Sequence, residues 1–273
     1  MSVASRCCSR CCSFSSASSS RRTSSSSSAT TTTATTTKGR RRSSSFVVGV
    51  VVGGEKRETK LRAASMSSGG SATGTTRKKT ALVPIANGSE EMEAIIIADV
   101  LRRAGVEVTV ASCEDDLVCD MSRNVRVRAD CSITEHEFGS SFDAIVVPGG
   151  MPGAERLAQN AVLDALLKRQ SEEKKVIAAM CAAPAVVLLS KNLLAEASEA
   201  TAHPAFDLGE AFAKDKKKRV CCSKASNGQV VITSQGPGTA IEFALALVKE
   251  LCGEEKRKEV AGPMCVPEDV LMG

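Results

Sequence analysis

From residue 80 onward, short uninterrupted apolar runs alternate with longer segments whose apolar positions recur every three or four residues. The runs TALVPIA (80–86), VEVTVAS (106–112), FDAIVVPGG (142–150), KKVIAAM (174–180) and QVVITS (229–234) predict buried strands. Between them, NGSEEMEAIIIADVLRRAG predicts a loop and a helix ending at Gly105. Residues 161–170 and 182–189 predict two further helices, and PGTAIEFALALVKEL (237–251) a strongly periodic one. A hairpin-like stretch passes through Val118 and 125–127, and a short strand is expected over 199–202. Strands without polar alternation are apolar on both faces, and strands alternating with helices form a parallel sheet with helices on either side. The expected fold is therefore α/β, an open, doubly wound three-layer sandwich. In such sheets ligands bind beyond the carboxyl ends of the strands, so the residues just after each strand are the ones to search.

The first 45 residues follow another rule. They hold 25 Ser and Thr, scattered arginines and no acid, and such a composition cannot bury enough apolar surface to offset its chain entropy. The overall +5 divides into +10 for residues 1–64 and −5 for the remainder. The segment reads as a Ser/Thr/Arg-rich transit peptide, directed to the plastid stroma, with the mitochondrion as the alternative. The expected division is 1–64 leader, 65–79 linker, 80–268 folded domain and 269–273 tail. FVVGVVVGG (46–54) is too short to cross a membrane, which takes about 20 residues, so no membrane partner is expected. The mildly acidic body gives no reason to expect nucleic acid. Four cysteines lie in the leader; the eight in the body are dispersed, and free thiols fit a reducing compartment. No metal-ligand cluster stands out, so no metal is expected.

Three post-strand positions carry candidate chemistry. Cys181 follows VIAAM directly and precedes a predicted helix with Pro184 in its first turn, where backbone N–H groups favour a thiolate. Glu93 lies on the apolar stripe of its own helix, with Ile96, Ile97, Val100, Leu101 and Ala104 following it, so its carboxyl should be desolvated and its proton affinity raised. Glu90 and Glu91, just after the N-cap candidate Ser89, need only complement the helix dipole. Gly149 and Gly150 allow the backbone to approach a ligand and offer N–H groups to an oxyanion. His203 is one of two histidines; the other, His136, lies inside the acidic EHE and is expected to be solvated.

Taken together, ALVPIANGSEEMEAIIIADVLRRAGVEVTVA, SFDAIVVPGGMPGAERL, VIAAMCAAPAVVL, TAHP and ITSQGPGTAIEFALALVKEL resemble the ThiJ/PfpI family, in its DJ-one-like branch, from about Thr80 to Pro267. The resemblance implies a flavodoxin-like fold with a nucleophile elbow and a homodimer. It places the nucleophile at Cys181, its acid/base partner at Glu93 and a nearby histidine at His203. Oxyanion donors would come from Gly149, Gly150 and Ala182, and Arg123 and Ala183 would line the pocket, Ala183 standing where the branch usually has glycine. The implied activity is conversion of methylglyoxal to lactate without any cofactor, with glyoxal as a further small aldehyde, and repair of early glycation adducts on proteins and nucleotides. The alternative is an oxidative-stress sensor or redox chaperone with an oxidisable Cys181. A hydrolase like the amidotransferase and peptidase branches fits less well, because those sites depend on a histidine aligned with the cysteine.

Overall fold

A computed structural model describes residues 77–136, 139–195, 197–210, 212, 218–225 and 227–271; the expected leader, most of the linker and the last two residues lie outside this set. In chain order the elements are β1 (Thr80–Ile85), α1 (Glu91–Arg103), β2 (Glu107–Ser112), the strands β3 (Val118–Asp120) and β4 (Arg126–Arg128), β5 (Cys131–Ser132) and β6 (Ala144–Val147). They continue with α2 (Gly153–Gln159), α3 (Ala161–Glu172), β7 (Val176–Met180), β8 (Val220–Lys224), β9 (Val230–Ser234), α4 (Ala240–Cys252), α5 (Glu254–Ala261) and α6 (Glu268–Leu271).

The main sheet runs β5-β2-β1-β6-β7-β9-β8, while β3 and β4 pair as a separate antiparallel hairpin. Every main-sheet pairing is parallel except β8 with β9. Its inner five strands have the flavodoxin-like order, and the direction of winding reverses between β1 and β6. All residues of β6, β7 and β9 are buried, as their unbroken apolar runs require. One face is covered by α1 and α4 through Ile97, Leu101, Phe243 and Leu247. The other packs against α2 and α3 through Leu157, Leu163 and Leu167.

The α/β sandwich and the strands of its parallel core match the pattern reading; β8, α2 and α5 are additional to it, and four of the expected local features differ. Residues 199–202 form no strand, because the Ser198 and Thr201 N–H groups donate to the side chains of Ser223 (2.7 Å) and Thr233 (2.9 Å) in place of a backbone ladder. The helical stretch after Cys181 is a π-turn over Pro184–Leu188 followed by a 3-10 turn over Leu189–Lys191, with the Leu189 N–H reaching back to the Pro184 carbonyl. Glu90, not Ser89, caps α1: its carboxylate accepts the Glu93 N–H at 2.7 Å. Ser89 Oγ turns back to accept the Ala86 N–H at 3.0 Å. His136 is half-buried, since the 3-10 turn Ile133–His136 folds it back over β5.

Candidate active site

Three loops meet beyond the carboxyl ends of β1, β6 and β7. The loop after β1 leads into α1, and Glu93, in the first turn, is completely buried. Its Oε2 accepts the Gly149 N–H from the loop after β6 at 2.7 Å. The Glu90 N–H donates to the Gly149 carbonyl at 2.9 Å, so the two loops are joined twice. Cys181 follows β7 with φ of +60°, a left-handed conformation that a cysteine rarely adopts. Its N–H donates to the Ser234 carbonyl at 3.0 Å and its carbonyl accepts from the His203 N–H at 2.9 Å. The strained seam is thus fixed from both sides by backbone bonds.

Glycine is required where these loops touch. A Cβ at Gly149 would lie 2.6 Å from Cys181 Cβ and 2.8 Å from the Ala182 nitrogen. At Gly150 it would lie 2.5 Å from the Glu90 nitrogen, and φ there is +88°.

Burial pushes the Glu93 carboxyl up to about 7; the Gly149 N–H and the Cys181 thiol pull against this, and the Glu90 charge reinforces it. Its second oxygen, Oε1, is buried without a hydrogen-bond partner. Burial, and then the Glu93 charge, push the Cys181 thiol up to about 12, although the Gly150 and Ala182 N–H groups favour the thiolate. The expected lowering by the helix start is therefore outweighed, first by burial of the sulfur and then by the carboxyl group it faces. What results is a coupled pair in which each group's proton depends on the other's. Such a pair can present a nucleophile and return a proton within one pocket.

The remaining expected residues take distinct positions. The Gly150 and Ala182 N–H groups address the Cys181 sulfur, while that of Gly149 is held by Glu93. His203 meets Cys181 through its backbone; its Nδ1 accepts the Ala205 N–H at 3.2 Å and its ring packs edge-on against Phe206. Arg123 is exposed and its positive charge acts on Glu90. Ala183 is fully buried, with its methyl in the apolar cluster that includes Val187 and Leu188.

Sequence reasoning passed over Glu91. It is buried, and its carboxylate accepts Ser122 Oγ at 2.8 Å and the Arg123 N–H at 2.9 Å, tethering the Arg123 loop to α1. The signal was a second glutamate beside Glu90 in SEEME, one more than the helix start needs. Among the described residues no group of three or more His, Cys, Asp or Glu side chains is placed to hold a metal ion. None of their helices is long and apolar enough to cross a membrane.

A flavodoxin-like sheet with a strained cysteine at the end of β7 and a buried glutamate facing it defines a cysteine-elbow α/β protein. The chain belongs to the DJ-1/PfpI family, whose model matches residues 79–250. Protein dj-1beta of Drosophila melanogaster is 41% identical over 190 residues, 69% of this chain and 97% of that protein. The glutathione-independent glyoxalase DJR-1.2 of Caenorhabditis elegans is 35% identical over 190 residues, again 69% and 97%. The solved structure of oxidized Toxoplasma gondii DJ-1 is 45% identical, with a TM-score of 0.63, covering 69% of this chain and 98% of that one. The match to DJ-1 homolog B of Arabidopsis thaliana, 38% identical over 68% of this chain, spans only 41% of that longer protein, and homolog A is matched over 45%.

Proposed function

We propose that the protein is a glutathione-independent glyoxalase in which Cys181 is the nucleophile and Glu93 the acid/base. The observation that carries this is a fully buried carboxyl, pushed up to about 7, coupled to the cysteine at the strand end. A group in that range can both take and give a proton near neutral pH. The Cys181 sulfur attacks the aldehyde carbon of methylglyoxal, its proton passing to the new hydroxyl, to give a hemithioacetal. Glu93 removes the hydrogen of that carbon and returns a proton to the neighbouring one, leaving a thioester of lactate. Water cleaves the thioester, releasing lactate and the thiol. The Gly150 and Ala182 N–H groups, already directed at the sulfur, are placed to hold the oxyanion beside it, and Arg123 is assigned to the pocket mouth. The glyoxalase name of the Caenorhabditis relative supports this reading. Repair of early glycation adducts would use the same attack on a bound carbonyl.

A second reading, oxidation sensing at Cys181, is favoured by the same pair, because a protonated Glu93 can donate a hydrogen bond to an oxidised sulfur. The oxidized state named for the Toxoplasma relative gives it a precedent. The assembly is assigned as a homodimer on the family resemblance, and the destination as the plastid on the composition of residues 1–64. The deciding experiment measures lactate formation from methylglyoxal without glutathione by the full chain, Cys181→Ser and Glu93→Gln. Turnover in the parent that is lost in both variants supports the enzyme. No turnover in the parent, with selective peroxide oxidation of Cys181, overturns it in favour of the sensor.

A further inference from the structure

A second cysteine lies against a histidine ring, at one edge of the sheet. Cys131 lies on β5, the outermost strand, and its Sγ is 3.4 Å from His136 Nε2. The other ring nitrogen, Nδ1, is 3.0 Å from Ser140 Oγ, and the ring packs edge-on against Phe142 with centroids 5.2 Å apart. Both nitrogens are therefore occupied, one by a thiol and one by a hydroxyl that can accept the Nδ1 proton. An imidazolium formed here would have a partner for each N–H. A nucleophile, a base within reach and a third group orienting the base form the arrangement that activates thiols elsewhere. Cys131, His136 and Ser140 are all half-buried, not sealed in the core.

We propose that Cys131 is a second reactive thiol, oxidised by hydroperoxides with His136 as the proton carrier. Burial pushes this thiol up, and Glu135 and Asp130 reinforce the shift, so it stays protonated until it reacts. Asp130 is itself paired with Arg102 at 2.8 Å, and Glu135 accepts the Ser132 N–H at 3.1 Å. In the step, His136 Nε2 takes the thiol proton as Sγ bonds to the near peroxide oxygen and the O–O bond breaks. The same proton then passes from Nε2 to the leaving hydroxide. A thiol and hydrogen peroxide become a sulfenic acid and water; sulfur is oxidised by two electrons and the peroxide reduced by two. The leaving oxygen needs a proton at the moment of cleavage, and His136 holds one beside it. The inference is independent of the role proposed for Cys181.

The test treats the full chain with hydrogen peroxide, traps sulfenic acid with dimedone and follows each cysteine by peptide mass spectrometry. The tryptic peptide 129–156 carries Cys131 as its only cysteine, and the C-terminal peptide carries Cys265. Cys265 is exposed and so more accessible than Cys131, which makes it a strict internal reference. Cys131 is expected to be trapped about 100-fold faster, the lower reach of acid/base catalysis, and His136→Gln to abolish that lead. Cys119, completely buried, stays unlabelled while the variant remains folded. If His136→Gln exposes Cys119, the wild-type ratio and the rescue of His136→Ala by added imidazole decide in its place. A wild-type Cys131 no faster than Cys265, a lead that survives in a folded His136→Gln, or no rescue by imidazole overturns the proposal.

Discussion

Glu93 holds its carboxyl where a charge is costly, and that gives the pair at the site a measurable signature. Unfolding returns the group from about 7 to its ordinary value of 4.5. Between those values the folded chain binds a proton that the unfolded chain has released. The contribution to stability is thus full below about pH 4.5 and is lost as pH rises through 7. The 2.5-unit difference corresponds to about 3 kcal/mol, most of it lost between pH 5 and 8. Glu93→Gln carries no titrating proton there, so urea unfolding should show the wild type losing about 2–3 kcal/mol more than the variant across that interval. Parallel pH curves would mean that Glu93 is not held protonated. Gly149→Ala tests the neighbouring contact, since its methyl would press on Cys181 Cβ and the Ala182 nitrogen. Overpacking of this kind costs about 1–3 kcal/mol and here also displaces Cys181, the proposed nucleophile. A lower melting temperature with kcat reduced at least as strongly as kcat/KM is expected; unchanged kcat would show that the seam tolerates the shift.

At the scale of elements, α1 orients the site with its first turn, through Glu90 as cap, Glu91 as tether and Glu93 as the proposed acid/base. Glu91→Ala removes the acceptor for Ser122 Oγ and the Arg123 N–H, at a cost of about 1–3 kcal/mol for losing charged hydrogen bonds. Because Arg123 is assigned to the pocket mouth, steady-state kinetics should show KM raised and kcat nearly kept. A fall in kcat at constant KM would instead place the damage at Glu93. The core strands were legible in the sequence because burial on both faces leaves an unbroken apolar run, as in β6, β7 and β9. β8, VCCSK, was not, because an edge strand buries only alternate residues and its short apolar content resembles a loop. The buried stripe position of Glu93, the seam position of Cys181 and the N–H groups of the glycine pair were legible, whereas the Glu91 tether depends on chain segments brought together by folding and the Cys131 to His136 contact on a turn that the charged EHE did not announce. His136 was misjudged for that reason: its neighbours in sequence are acids, but its neighbours in space are Cys131, Ser140 and Phe142.

For the whole molecule, the apolar surface left open bears on assembly. Met92 and Ile95 are 53% and 48% exposed on α1, and three residues apart they share one side of the helix. Val125, 48% exposed, lies in the β3–β4 turn, which Glu91 ties to the start of α1 through Ser122 and Arg123. The opposite side of the same helix carries Glu93 and the core residues Ile97 and Leu101, so the reactive pair and the open patch lie back to back. A second copy of the chain placed over the patch would remove these side chains from water without covering the inward face, and a stable contact would bury about 1,200–2,000 Å² in total. Ile95→Lys sets a like charge against itself across a two-fold interface while leaving the core intact. Light scattering should find the parent at twice the chain mass and the variant at the chain mass, with Glu93 still pushed up as judged from the pH dependence of stability. A parent that is monomeric at micromolar concentration, or an Ile95→Lys variant that stays dimeric, would remove α1 and its hairpin from the interface.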